Sequence, residues 1–427
     1  MTYPWFKRRR YLHFDLPVSE ADAAALVTNS ERIAAHAFYP FLFFVKSTRK
    51  VRRDPETGRI QPRKKDRPLS IASHADAHVF AYYCELLTAR YEAELHRRGL
   101  DDVVLAFRRG KGNNVTFAQR AFDEIRRRQS CAAIALDIKG FFDHLDHTRL
   151  KQAWSAVLGR PGARLPDDHY QVYRAITHYA FVDMDKLEAR LDVSRRRRQS
   201  RKRRLCDPDF FRERVRGEGL IEVNANSYGI PQGSPISALL SNVYMLEFDQ
   251  WLAREVARIG GRYFRYCDDL LVIVDAAAAI DIIDKITGRI HAERLTIQSE
   301  KTQTSNFALN VDKGKVTCDR PLQYLGFTFD GTRTLIRSGS IARYRAKTNR
   351  GIRVAIATMK NRNEIRASRG EAPRKLFVKK LYRRFAPVGR RNFASYGYKA
   401  ARSMASPSIR RQLRRHWPSM RQKIGKV

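Results

Sequence analysis

Between residues 74 and 98 the sequence HADAHVFAYYCELLTARYEAELHRR returns an apolar side chain every three or four positions, which predicts a helix, and Gly99 directly after it predicts the C-terminal cap. The same spacing predicts helices over 115–128 (VTFAQRAFDEIRRR) and 147–158 (HTRLKQAWSAVL). The first part of 18–46 also reads as helical, with Ser19 in SEADAAAL as its N-cap. CAAIALDI (131–138) is unbroken in its apolar character and short, so it predicts a buried strand. In GGRYFRYCDDLLVIVDAAAA (260–279) the aromatic run from Arg262 to Cys267 and the apolar run Leu270 to Val274 predict a hairpin with Asp268 and Asp269 at its tip. The stretch KSTRKVRRDPETGRIQPRKKDRPLSIAS reads as a solvated hairpin, and SRRRRQSRKRR (194–204) as an exposed basic insertion. The surrounding 160–227 has little period, and strand and turn signals return from 228. KKLYRRFAPVGRRNFASYGYKAAR belongs to a basic helical module at the end of the chain, and no internal repeat is visible.

Length and charge narrow the function. A chain of 427 residues with 43% hydrophobic content has enough core for two or three subdomains. Lys and Arg number 83 against 44 acids, a net +39, and the last 88 residues hold 26 of those cations against Glu364 and Glu371 alone. Such an excess predicts a polyanionic partner, nucleic acid ahead of an anionic membrane. AAHAFYPFLFFV (34–45) is too short to span a bilayer, which takes roughly 20 apolar residues, and it contains His36 and Pro40. No apolar stretch follows the basic N-terminus, so the expected address is the cytoplasm, with no membrane partner. Cys84, Cys131, Cys206, Cys267 and Cys318 form no CxxC pair and read as ordinary thiols rather than a zinc site or a disulfide framework.

Adjacent carboxylates repel unless a cation sits between them. If the 131–138 strand lies beside the hairpin in one sheet, Asp137 converges on Asp268 and Asp269, a hard oxygen set suited to two Mg²⁺, with Mn²⁺ as the alternative. In such a pair one metal activates an attacking hydroxyl and the other holds the leaving pyrophosphate oxygen.

The order LDIKGFFDHLDH, GIPQGSPISALLSN (229–242), YCDD, LTIQSEKT (295–302) and LQYLGFTF (322–329) resembles the successive palm motifs of reverse transcriptases, across roughly residues 60–330. The resemblance implies an α+β right-hand polymerase fold: an N-terminal extension (1–58), fingers (59–130), a palm (131–335) with the basic insertion near 190–205 and the remaining fingers elements, and a basic helical thumb (336–427). It implies metal ligation by Asp137, Asp268 and Asp269, with the Ile138 carbonyl as a further ligand. Phe142 is then the side chain under the sugar, Gln232 faces the incoming dNTP, and Gly233 lets the backbone approach. Lys301 becomes the cation at the pyrophosphate, and Lys65 and Arg67 grip the triphosphate. Arg108, Arg109 and Lys111 take the template backbone, while Lys379, Lys380, Arg383 and Arg384 of the thumb take duplex phosphates.

No RNase H-like acidic cluster, integrase-like region or Cys pairs of an HNH nuclease accompany the motifs. The YLHFD and FFDHLDH forms and the helix after RPLSIAS are similar to bacterial defence-associated reverse transcriptases, most of all their second type. That type copies a structured noncoding RNA into cDNA, the RNA serving as template and as candidate primer. Group II intron-like and retron reverse transcriptases are the alternatives, and an RNA-binding scaffold with a retired palm is the non-enzymatic one. Template identity, priming group and oligomeric state are not written in the sequence.

Overall fold

The computed structural model describes residues 3–53, 58–191 and 204–425. Most of the basic insertion read at 194–204 lies outside them. The chain forms two compact units, each assembled from separate stretches: one from Met1–Phe107, Ile138–Arg254 and Lys285–Ile297, the other from Arg108–Asp137, Glu255–Asp284 and Gln298–Val427.

In the second unit a five-stranded antiparallel sheet runs in the order Lys315–Cys318, Gln303–Asn310, Cys131–Asp137, Asp269–Val274, Arg262–Tyr266. Cys131–Asp137 is the central strand and is buried along most of its length, which is why its sequence is apolar rather than alternating. Helix Asn114–Arg128 opens with a capping box between Asn113 and Thr116 and buries Val115, Phe117, Ala118, Ala121, Phe122 and Ile125 on one face. Its Phe122 stacks on Phe329 at 4.8 Å in the small sheet Leu322–Tyr324, Phe327–Phe329, Thr334–Ile336. Helices Ser338–Ala367, Lys379–Phe385, Phe393–Ser403, Pro407–Arg414 and His416–Gly425 follow. Their core joins Tyr344, Ile352, Leu381, Phe385, Ala394 and Met420, with Phe393 and Trp417 packed against it. These aromatics of the basic module are therefore core residues.

The first unit holds a sheet ordered Pro68–Ile71, Phe41–Val45, Ala180–Asp183, Glu222–Val223, and the hairpin Thr48–Arg53/Ile60–Lys65. Helix His74–Arg97 ends as its pattern predicts, with Gly99 at φ +68°. Asp15 of YLHFD caps its start: Oδ1 accepts from the His74 amide (3.0 Å) and Nδ1 (2.8 Å), and Oδ2 from the Ala75 amide (2.9 Å). Tyr11 donates to the Ala72 carbonyl at 2.9 Å, so this N-terminal motif fastens the extension to the helix.

One expectation is corrected. The segment from 228 forms a loop and then helices Ser237–Tyr244 and Leu246–Arg258, with strands resuming only at Arg262. Burial of Leu239, Leu240 and Val243 along one helix, rather than pairing, organises that apolar run. The poorly periodic 160–227 contains helices Asp167–Thr177 and Met184–Leu191 around the short strand Ala180–Asp183.

Candidate active site

Strand pairing brings one of the two adjacent acids, Asp269, to Asp137. Asp137, the last residue of its strand, lies directly opposite Asp269 in the antiparallel register, and Leu136 lies opposite Leu270. Directly paired residues share one face of a sheet, so the Asp137 and Asp269 side chains emerge on the same side while the leucines emerge on the other. Tyr266 pairs with Asp269 across the hairpin, leaving Cys267 and Asp268 as a two-residue turn. Cys267 takes φ +61°, a conformation that a residue with a Cβ adopts at a cost of about 1–3 kcal/mol and that clusters at functional sites. This tight turn carries Asp268, the residue that precedes Asp269.

The tip is electrostatically negative. Burial raises the Tyr266 and Tyr324 phenols above their ordinary range, and the Asp269 carboxylate pushes both further. Burial likewise raises the Cys267 thiol, with the Asp268 charge adding to it. Lys301, in the short turn Ser299–Lys301, donates its ammonium to the Asp137 carboxylate. The neighbouring Gln298 amide donates to the Asp137 carbonyl at 2.8 Å, which fixes the lysine turn against the end of the strand. Tyr324 is buried and its hydroxyl has no hydrogen-bond partner among the described residues.

Hard carboxylates held together by register and turn are the donor type a divalent cation of the Mg²⁺ class takes. As they stand, no three or more His, Cys, Asp or Glu side chains among the described residues come close enough together to hold a metal ion. The nearest cation to Asp137 is that of Lys301.

In the first unit, the Gln232 carbonyl accepts from the Ser70 amide at 2.8 Å, tying the IPQGSP loop to the RPLSIAS strand. Gly233 follows at φ +122°, and a Cβ there would stand 2.6 Å from the Ser70 carbonyl oxygen. A Gly233→Ala substitution should therefore destabilise the fold by about 1–3 kcal/mol, read as a lowered urea midpoint at unchanged slope. An unchanged midpoint would mean that the loop is not held against this strand. Ser70 was not singled out from the sequence because its contact is made by the backbone, far from Gln232 along the chain.

Phe141 is buried whereas Phe142 is half-buried beside it, their ring centroids 5.7 Å apart. Ile138 is buried and bridges Ile297. Lys65 ends its hairpin strand half-buried, and Arg67 is exposed, its amide and carbonyl both paired with Lys46. Arg109 and Lys111 are exposed. Arg108 is only 7% exposed, whereas its neighbour Arg109 faces solvent. Lys379, Lys380, Arg383 and Arg384 lie on the exposed face of a helix that buries Leu381 and Phe385. All five cysteines are free thiols, buried or half-buried. Among the described residues no helix is long and apolar enough to cross a membrane.

Comparison with known proteins gives a family. The sequence profile described as reverse transcriptase (RNA-dependent DNA polymerase) matches residues 96–329, more than half of the chain. No curated protein sequence matches the chain. Solved structures similar to it include the apo telomerase of Candida tropicalis truncated from its C-terminal domain, at 10% identity and a TM-score of 0.43, covering 68% of this chain and 55% of that one. Telomerase of Candida albicans with a TWJ fragment of telomeric RNA is similar at 11% identity and a TM-score of 0.41, covering 93% and 66%. The chain thus spans about half to two thirds of the length of these telomerases.

Proposed function

The chain belongs to the reverse transcriptase family of RNA-dependent DNA polymerases, and from that premise we propose that it copies a structured noncoding RNA into cDNA by two-metal nucleotidyl transfer. The reading is carried by one observation: Asp137 stands opposite Asp269 in register, next to the turn that presents Asp268. Asp137, Asp268 and Asp269 would hold two Mg²⁺, or Mn²⁺ in their place, with the Ile138 carbonyl as a further ligand. The ions supply a lowered pKa for the attacking hydroxyl and charge stabilisation at the leaving oxygen. In the transfer the primer hydroxyl gives its proton to solvent as its oxygen attacks the α-phosphorus of a dNTP, the bond to pyrophosphate breaks, and Lys301 gives the leaving group a proton.

The substrate contacts follow the family resemblance: Lys65 and Arg67 on the triphosphate, Gln232 on the incoming nucleotide, Arg109 and Lys111 on the template backbone. The fingers, palm and thumb divisions at 59–130, 131–335 and 336–427 belong to the same proposal. Phe142 selects deoxynucleotides by crowding a 2′-hydroxyl, and its half-exposure next to the buried Phe141 favours that role over a core one. Phe142→Ala should raise ribonucleotide incorporation on the order of tenfold or more in a competition between dNTPs and NTPs. Unchanged discrimination would return Phe142 to a packing role.

The biological setting we assign is antiphage defence in the cytoplasm, resting on the YLHFD and FFDHLDH motifs and on the +39 charge that suits a constant RNA partner. Sequencing the nucleic acid that co-purifies with the protein tests this part. One structured RNA and its complementary DNA are expected, whereas a random sample of cellular RNA would contradict a dedicated partner.

A further inference from the structure

The C-terminal helices form an open, concave pocket of about 280 Å³ between the first half of Ser338–Ala367 and the helix His416–Gly425, with Arg345, Arg415, Ser419 and Lys423 exposed on its rim. Arg345, Arg415 and Lys423 stand in its wall with Asn349, His416 and Ser419. Thr348 and Met420, each 2% exposed, close its inner side. No carboxylate lines it; the only acids after residue 339 are Glu364 and Glu371, and the second of these lies 3.8 Å from Arg366. Three permanent cations thus share one concave space without an acid in its walls.

The cations are the donors of the pocket. Lys423 gives one proton to Asn349 Oδ1 at 2.7 Å and keeps two. His416 Nε2 lies 3.0 Å from the Phe385 carbonyl, which can only accept, so that nitrogen carries its proton. Burial first, then Arg345 and Lys423, hold the His416 ring below its ordinary range, as a positive potential inside the cavity requires.

Size selects the ligand. Drug-sized pockets begin at about 300 Å³, so this one accepts a compact group. Arginine forks and an ammonium around such a volume match phosphate oxygens. We infer that this cavity binds a terminal polyphosphate, carried either by the 5′ end of an RNA or by a free nucleoside polyphosphate.

The test reads binding alone on the full chain, so it stands or falls separately from DNA synthesis. Inorganic tripolyphosphate is titrated by calorimetry into the wild type, into R345Q/R415Q/K423Q, and into R353Q/K360Q/R362Q, which removes the same charge from exposed positions outside the cavity. Affinity should fall at least about tenfold in the cavity variant, the loss expected for even one charge-assisted hydrogen bond, and should hold in the other. Ser419→Glu, which sets a carboxylate at an exposed position of the wall, should lose binding in the same way and guards against misfolding of the triple variant. No binding by the wild type, or equal loss in both triple variants, would overturn the inference. A second arm compares short RNAs with 5′-triphosphate and 5′-hydroxyl ends. A preference for the triphosphate that disappears in the cavity variant assigns the site to RNA ends, and tripolyphosphate binding without that preference assigns it to free polyphosphates.

Discussion

Replacing Asp268 and Asp269 together by alanine should reduce DNA synthesis at least about a thousandfold while leaving RNA bound, because the loss of metal-borne charge stabilisation removes several kcal/mol from the transition state. Asp269 is exposed and Asp268 half-exposed at the hairpin tip, so neither side chain fills the core. The fold should survive, with a thermal midpoint close to that of the wild type. Co-purified RNA should be present in both proteins and cDNA in the wild type alone. Equal cDNA in both would take the carboxylates out of the chemistry and overturn the roles assigned to them.

RNA binding should weaken about 10³- to 10⁵-fold between 50 and 200 mM salt, the loss expected when 6–10 phosphates are neutralised and their counterions released. The cations that govern this are concentrated in the C-terminal module, where 26 Lys and Arg face two acids. Lys379, Lys380, Arg383 and Arg384 are exposed on one short helix. Changing all four to glutamine should flatten the slope of log K against log salt by about 0.7–0.9 for each phosphate that is no longer neutralised. A filter-binding series at four salt concentrations reads both effects. A flat wild-type profile would mean that the excess charge does not hold RNA.

How far the sequence carried these conclusions differs from element to element. The helix ending before Gly99 and the hairpin around Asp268 and Asp269 were legible because each has its own period and its own punctuation within a few residues. The approach of Asp137 to Asp269 was legible only as a condition, since strand pairing between distant segments leaves no local mark; the register supplies it. The stretch 160–227 was opaque because its elements are short and its strand contributes only four residues, Ala180–Asp183, to a sheet assembled from distant pieces. The burial of Arg108 was not legible because an arginine in a basic loop looks the same whether solvated or buried. The Gln232–Ser70 hydrogen bond was hidden because backbone atoms make it, and the cavity of Arg345, Arg415 and Lys423 because it joins two helices separated by most of the module.

The account rests on carboxylates from two strands acting together on a nucleotide. Primer extension by the purified wild type, with an RNA template, labelled dNTPs and Mg²⁺, tests it most directly. It predicts template-dependent DNA that disappears when the metal is chelated and returns when Mg²⁺ or Mn²⁺ is restored. RNA held tightly with no DNA made on any template would contradict it and leave a protein that only binds RNA.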